Sequence, residues 1–230
     1  MGNGMLDVNG CDDRSINKRS VEWVVLTKAP VPGVVKTRLI PALGAQGACD
    51  IYEQLLVRLE GALRRVVSGP VQFQVTSQVS SQVAIWVAGD AAHDAFKSWS
   101  SFATFYSQPE LGDLGTRMAL AVQSSLDRGC MPILIGVDVP DLDDAYLLNC
   151  LEAFITHDLV ISPAEDGGYG LLGMKQFYSE LFTGKAWGTD SVFEATRKNI
   201  EVLKINAGYL PRVWDVDEIA DVERFRILES

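Results

Sequence analysis

The stretch "VEWVVLTKAPVPGVVKTRL", Val21 to Leu39, decides how the chain is read. It opens as an apolar run of strand length and passes into a loop holding Pro30, Pro32, Gly33 and the cations Lys28, Lys36 and Arg38. Beyond it, Ile51, Leu55, Leu59, Leu63 and Val66 recur at three- or four-residue spacing, which predicts a helix over 44–67. A strand that feeds a Gly/Pro loop and then a helix puts the loop at the carboxyl edge of a sheet. In open α/β folds that edge binds ligands.

The cations stand out because the 230-residue chain carries a formal net charge of −10. Such a balance disfavours nucleic acid as a partner, since phosphate backbones require a basic face. No window reaches the length of a transmembrane helix, so no membrane insertion is expected. Residues 1–20 lack the apolar core of a signal peptide, and Leu6 stands where a myristoylation pattern needs Ser or Thr. They read as a disordered tail on a cytoplasmic protein. Cys11, Cys49, Cys130 and Cys150 form no CxxC pair and read as free thiols.

Working outward, strand-length apolar runs alternate with helical patterns, the signature of an α/β fold. Strands are expected at 21–27, 83–89, 102–107, 131–138, 158–164 and 168–174, with a short one in "EVLKI" (201–205). Helices are expected near 91–99, 114–127, through Leu147, Leu151 and Phe154, near 190–198, and after Asp217. The polar piece before the second strand reads as a loop or an edge hairpin. No repeat and no Gly/Ser linker divides residues 21–230, which read as one domain.

Several loops carry chemistry. Lys36 and Arg38 suit a polyphosphate, Arg offering a planar fork, although the spacing is not that of a Walker A loop. The loop reads equally as a solvated turn with surface cations. Asp138 follows a buried strand directly, where a carboxylate is a natural ligand for Mg²⁺ or Mn²⁺. Asp141 reads either as a ligand or as the cap of the next helix. Glu165 and Asp166 precede Gly167, Gly168 and Tyr169. The glycines allow close backbone approach to a ligand and also fit a hairpin turn. Asp215 and Asp217 share one face of an extended segment, and Asp217 is the stronger metal candidate. Gly112, Asp113 and Gly115 open a helix whose N–H groups suit a ligand's polar atoms. Trp187 offers stacking and Thr189 hydrogen bonding.

Taken in order, "TKAPVPGVVKTRL", "GDLGTRM", "IGVDVPDL", "PAEDGGYGLLGM", "WGTDSV" and "DVDEIADV" resemble a bacterial family of glycosyltransferase-like proteins. The family is also known by a domain of unknown function and as radical-SAM/selenodomain-associated transferases. The resemblance spans nearly the whole chain from Val21. It implies a nucleotide-diphospho-sugar transferase (GT-A) fold: one domain, a mostly parallel central sheet flanked by helices, and a Rossmann-like N-terminal half. The KTRL piece is also similar to the phosphate-binding start of guanylyltransferases. The terminal motif departs from that of small nucleotidyltransferases at Glu218 and Val222, where Thr and Leu are usual.

The resemblance implies that Lys28, Gly33, Lys36, Thr37 and Arg38, with Gly112, Asp113 and Gly115, face the phosphates of a nucleotide or nucleotide-sugar. Asp138 and Asp217 would hold the divalent cation. Asp141, Glu165, Gly167, Gly168, Tyr169, Trp187 and Thr189 would surround the transferred group and a small acceptor. Lys36 would stabilise the leaving diphosphate and Asp166 would take the acceptor's proton. The expected activity is metal-dependent glycosyl transfer from a nucleotide-diphospho-sugar. Nucleotidyl transfer with release of pyrophosphate is the alternative, and a non-catalytic nucleotide or sugar sensor is a third reading.

Overall fold

The computed structural model describes residues 20–68 and 80–228. The expected tail, Ser20 excepted, and most of the polar piece before the second strand lie outside the described residues. Strands β1 (Val21–Lys28), β2 (Ser81–Ala88), β3 (Ala103–Ser107), β4 (Met131–Gly136), β5 (Leu159–Pro163), β6 (Tyr169–Met174) and β7 (Ala207–Tyr209) form one sheet in the order β3-β2-β1-β4-β6-β5-β7. All pairings are parallel except those of β6, which runs antiparallel to both β4 and β5.

The helices are α1 (Ile40–Ser68), α2 (Leu114–Asp127), α3 (Asp144–Thr156), α4 (Val192–Val202) and α5 (Ile219–Leu228). Strand periodicity divides the core in two. Val21, Trp23 and Val25 of β1 pack with Ile133 and Ile135 of β4 against α1, α3 and α5. Val24 of β1 and Leu134 of β4 point the other way, towards Met118, Ala121 and Val122 of α2 and Ile200 of α4. Both faces of the sheet are therefore covered, which accounts for the mainly apolar middle of β1, β2 and β4. Among the described residues, no helix is long and apolar enough to cross a membrane.

Two expected elements differ. Residues 91–99 hold no α-helix. Short 3-10 turns at Asp94–Phe96 and Trp99–Ser101 bury Phe96 and Trp99, three residues apart, a spacing that a three-residue turn serves as well as a helix does. "EVLKI" is not a strand either. Its first residues finish α4, Lys204 turns the chain with φ 54°, and the strand starts later, at Ala207. The apolar Val202 and Leu203 that suggested a strand are exposed at the helix end.

Strand order reverses at β1: β2 and β3 lie to one side, and the chain then returns to place β4 on the other. Such a switch point leaves a crevice beyond the carboxyl ends of the two strands. Lys28 ends β1, and Asp138 follows the end of β4.

Candidate active site

Two adjoining cavities occupy this crevice. The first, about 360 Å³, is lined by Lys28, Lys36, Arg38 and Arg117, together with Thr37, Asp138 and Asp217. Lys36 is its centre. The Nζ atom lies 2.7 Å from Asp138 Oδ1 and 3.1 Å from Asp217 Oδ1, and the side chain is only 4% exposed. Burial alone would weaken the ammonium's hold on its proton, but the two carboxylates outweigh it and raise the pKa above the ordinary lysine value. The Lys36 backbone is left-handed, with φ 47° and ψ 43°. For a non-glycine residue that conformation costs about 1–3 kcal/mol. The ion pairs and the bond from Leu39 N–H to the Lys36 carbonyl hold it there. Arg38 donates from Nη1 to the other oxygen of Asp217 at 2.8 Å.

The floor of this cradle comes from α1. Tyr52 OH accepts from the Lys28 backbone N–H at 3.1 Å and shares a 2.7 Å hydrogen bond with Thr27 Oγ1. Burial, with the charge of Asp138 adding to it, pushes the phenol up to about 12. Tyr52→Phe should therefore take a partner from the part-buried Lys28 N–H and leave buried Thr27 Oγ1 only its longer bond to the Lys28 carbonyl, 3.3 Å. Urea denaturation is expected to show a loss of about 1–3 kcal/mol, and an unchanged midpoint would mean that the loop finds other partners.

The second cavity, about 320 Å³, shares Asp138, Leu26, Tyr52 and Leu114 with the first. Its remaining walls include Asp166, Asp215, Tyr169, Trp187 and Thr189. Tyr169 and Trp187 meet edge to face, with centroids 6.4 Å apart. Asp215 titrates high, at about 6, chiefly because it is buried and next because Asp166 and Asp217 are near.

A family model described as "Uncharacterized protein conserved in bacteria (DUF2064)" matches residues 71–189. The chain belongs to the DUF2064 family. Among solved structures it is similar to a Desulfovibrio desulfuricans G20 protein provisionally named a nucleotide-diphospho-sugar transferase. Identity is 27%, with 90% of this chain and 86% of that one covered, at a TM-score of 0.73. The fold is also that of 4-diphosphocytidyl-2C-methyl-D-erythritol synthase from Anaerococcus prevotii DSM 20548, at 9% identity, 94% and 99% coverage and a TM-score of 0.58. A third similar structure is glucosyl-3-phosphoglycerate synthase from Mycobacterium tuberculosis with Mn²⁺, UDP and glucosyl-3-phosphoglycerate, at 12% identity, 91% and 76% coverage and a TM-score of 0.50. A search of curated proteins found no match.

The DUF2064 chain is thus a single α/β domain whose mostly parallel sheet matches that of nucleotide-diphospho-sugar transferases. Its structure sorts the residues singled out in the sequence. Lys28, Lys36, Thr37, Arg38, Asp138 and Asp217 meet in the cradle, and Asp166, Gly168, Tyr169, Trp187 and Thr189 meet in the second cavity.

The others do not line either cavity and make contacts within the protein. Asp113 caps α2 by accepting from Thr116 N–H, and Gly112 precedes it at φ 101°. Gly115 is buried where a Cβ would lie 2.6 Å from Trp187 Nε1, so it seats the indole. Gly33, at φ 87°, shapes the loop without lining either cavity. Asp141 accepts from Trp214 Nε1 at 2.9 Å, and the capping of α3 falls to Asp143. Glu165 turns outward to Arg224, with contacts at 3.0 and 3.3 Å. Gly167 allows the chain itself, at Asp190, to approach closely.

Tyr52, Gln108 and Arg117 were not picked out as site residues by sequence, and Asp215 was read there only as the weaker metal candidate beside Asp217. Gln108 Nε2 donates to the carbonyls of Thr27 and Trp86 and so ties the ends of β1 and β2 together, and Arg117 reaches its Oε1. Only the two-residue spacing of Asp215 from Asp217 hinted at any of the four.

The residues present fit a divalent cation. Asp138 Oδ1 is buried, and beyond the ammonium of Lys36 at 2.7 Å it has no hydrogen-bond partner, which leaves it lone-pair capacity for a cation. Among the described residues no group of three or more His, Cys, Asp or Glu is gathered as a metal site. A pair of carboxylates completed by ligand phosphates is the donor set that Mg²⁺ takes in nucleotide enzymes.

Proposed function

We propose that this protein is a metal-dependent glycosyltransferase acting on a nucleotide-diphospho-sugar. One observation carries the reading: Asp138 is a common wall of a cationic cradle and a separate, largely apolar cavity that holds acids. A donor laid across that wall would have its diphosphate among Lys28, Lys36, Arg38 and Arg117 and its sugar at the mouth of the second cavity. The similarity to the Desulfovibrio protein supports the same donor class.

In this reading a lone pair on the acceptor's oxygen or nitrogen attacks the sugar C1. The bond from C1 to the β-phosphate oxygen breaks, and its electron pair stays on the departing diphosphate. Lys36 and Arg38 would face that negative charge, Lys36 from a buried position where a fixed charge acts most strongly and Arg38 from the exposed rim. Asp166 accepts the acceptor's proton. Asp138 and Asp217 would hold Mg²⁺ or Mn²⁺, whose charge adds to the stabilisation of the diphosphate. The manganese and UDP in the glucosyl-3-phosphoglycerate synthase complex support this cofactor choice. Nucleotidyl transfer is a second reading, favoured by the presence of four cations in the cradle, enough to face a triphosphate.

A thermal-shift panel of nucleoside triphosphates, diphosphates and diphospho-sugars, with and without Mn²⁺, separates the two. A ligand at a hundredfold its Kd adds about 2.7 kcal/mol of stability. Metal-dependent stabilisation by one diphospho-sugar, abolished in Asp138→Ala, is expected. Stabilisation by one triphosphate alone would move the assignment to nucleotidyl transfer. Folded protein that responds to no ligand would overturn both.

A further inference from the structure

We infer that the acceptor is a neutral or cationic molecule that presents its hydroxyl or amine beside an apolar or ring face, and that phosphorylated and carboxylated acceptors are rejected. The inference rests on the glycosyl-transfer reading and adds the class of the second substrate. Its basis is a division of charge within one crevice. The cavity beyond Asp138 is bounded by Asp138, Asp166 and Asp215, and among the described residues that line it none is Lys, Arg or His. The cations Lys28, Arg38 and Arg117 all line the other compartment. Lys36 stands nearest the boundary, but its ammonium is engaged by Asp138 and Asp217.

With Asp138 given over to the metal, Asp166 and Asp215 still face the acceptor, and an anionic acceptor would leave water to meet like charge there with no lysine, arginine or histidine on that lining to answer it. Complementary and opposed potentials of this kind discriminate between partners more than they add affinity. A neutral acceptor avoids the conflict, and an ammonium group gains from both the carboxylates and the aromatic faces. Tyr169, Trp187 and Met118 supply apolar surface on which a ring or alkyl face can lie. Thr189 adds a hydroxyl at the same wall. The step needs nothing beyond the donor: the acceptor's lone pair forms the new bond to C1, the diphosphate leaves with the old pair, and the proton goes to Asp166.

Para-substituted benzyl alcohols test this with the full-length protein, Mn²⁺ and whichever diphospho-sugar it hydrolyses. The probes are 4-methylbenzyl alcohol, 4-(aminomethyl)benzyl alcohol and 4-(hydroxymethyl)benzoate, which differ chiefly in charge. Ranking is read from product formation, and from inhibition of slow donor hydrolysis when a probe is bound but not turned over. The benzoate is expected to bind or react on the order of 100-fold more poorly than the other two. Asp215→Asn should narrow that gap by improving the benzoate and weakening the amine. A benzoate that matches or beats the neutral alcohol, or failure of all three to bind, would overturn the acceptor assignment while leaving donor hydrolysis, and so glycosyl transfer, in place. Loss of the donor reading itself would show separately, as absence of metal-dependent stabilisation by any diphospho-sugar.

Discussion

Lys36→Met is expected to lower the rate of transfer by roughly 10²–10³-fold, the usual consequence of removing one preorganised group that stabilises charge in a transition state. Methionine keeps the stem's volume, so the change isolates the charge. The same substitution acts on stability. Asp138 and Asp217 both lie within 3.1 Å of the ammonium and would face each other uncompensated without it. Removing one partner of a fully buried pair costs about 3–5 kcal/mol. Here the carboxylates are 45% and 35% exposed, so water takes up part of that loss. A fall of about 1–2 kcal/mol in urea denaturation is expected on the same grounds. Mn²⁺ added alone should then raise the melting temperature of the variant more than that of the wild type, because the metal ion replaces the missing positive charge. A variant that transfers at the wild-type rate would remove Lys36 from the chemistry. Equal metal responses would separate Asp138 and Asp217 from metal binding.

Gly167→Ala is expected to be strongly damaging, because a backbone clash and a positive φ coincide there. The residue sits at φ 86°, and a Cβ would lie 2.5 Å from Asp190 Cα and collide with its carbonyl oxygen. Positive φ costs an alanine about 1–2 kcal/mol. Forcing a methyl into backbone that cannot yield adds roughly 1–3 kcal/mol. The Gly167 backbone is pinned on both sides: Phe193 N–H donates to its carbonyl, and its own N–H donates to Ala164 O. Because Asp166 is the next residue and Thr189 flanks the clash, transfer should fall along with stability. Urea denaturation with far-UV detection measures the first effect. A loss under about 1 kcal/mol would show that the loop shifts freely and that the close approach is not needed.

The sequence and the structure agree best where the information is local. The helix of Leu114–Asp127 is announced by the Asp113 cap at one end and by an apolar stripe along it. The strands β1 and β4 are apolar runs long enough to be buried on both faces. Cations in the loop after one strand and a carboxylate just past another were legible for the same reason, since only a few residues separate each from the element that aims it. Side-chain destinations were not legible in this way. Asp141 and Glu165 are as acidic and as near to glycine or proline as Asp138 and Asp166 are, yet Trp214 and Arg224 claim them from 73 and 59 residues away. Conversely, Tyr52 and Gln108 sit in unremarkable segments and reach the crevice only because α1 packs over the end of β1 and because Gln108, just past β3, bonds the ends of both β2 and β1.

By itself, then, the order of apolar runs and helical stripes determined a three-layer α/β domain, because burial on both faces of a sheet imposes its period on the chain. The loops at strand ends need no tertiary knowledge to be placed at one edge. Which acids share a space was decided only by the fold. The switch point between β1 and β4 brings residues 36, 138 and 217 within ion-pair distance, whereas the hairpin of β5 and β6 delivers Asp166 to a different wall from its neighbour Glu165. Electrostatic contact falls off over a few ångströms, and no local rule in a sequence fixes a distance across 181 residues.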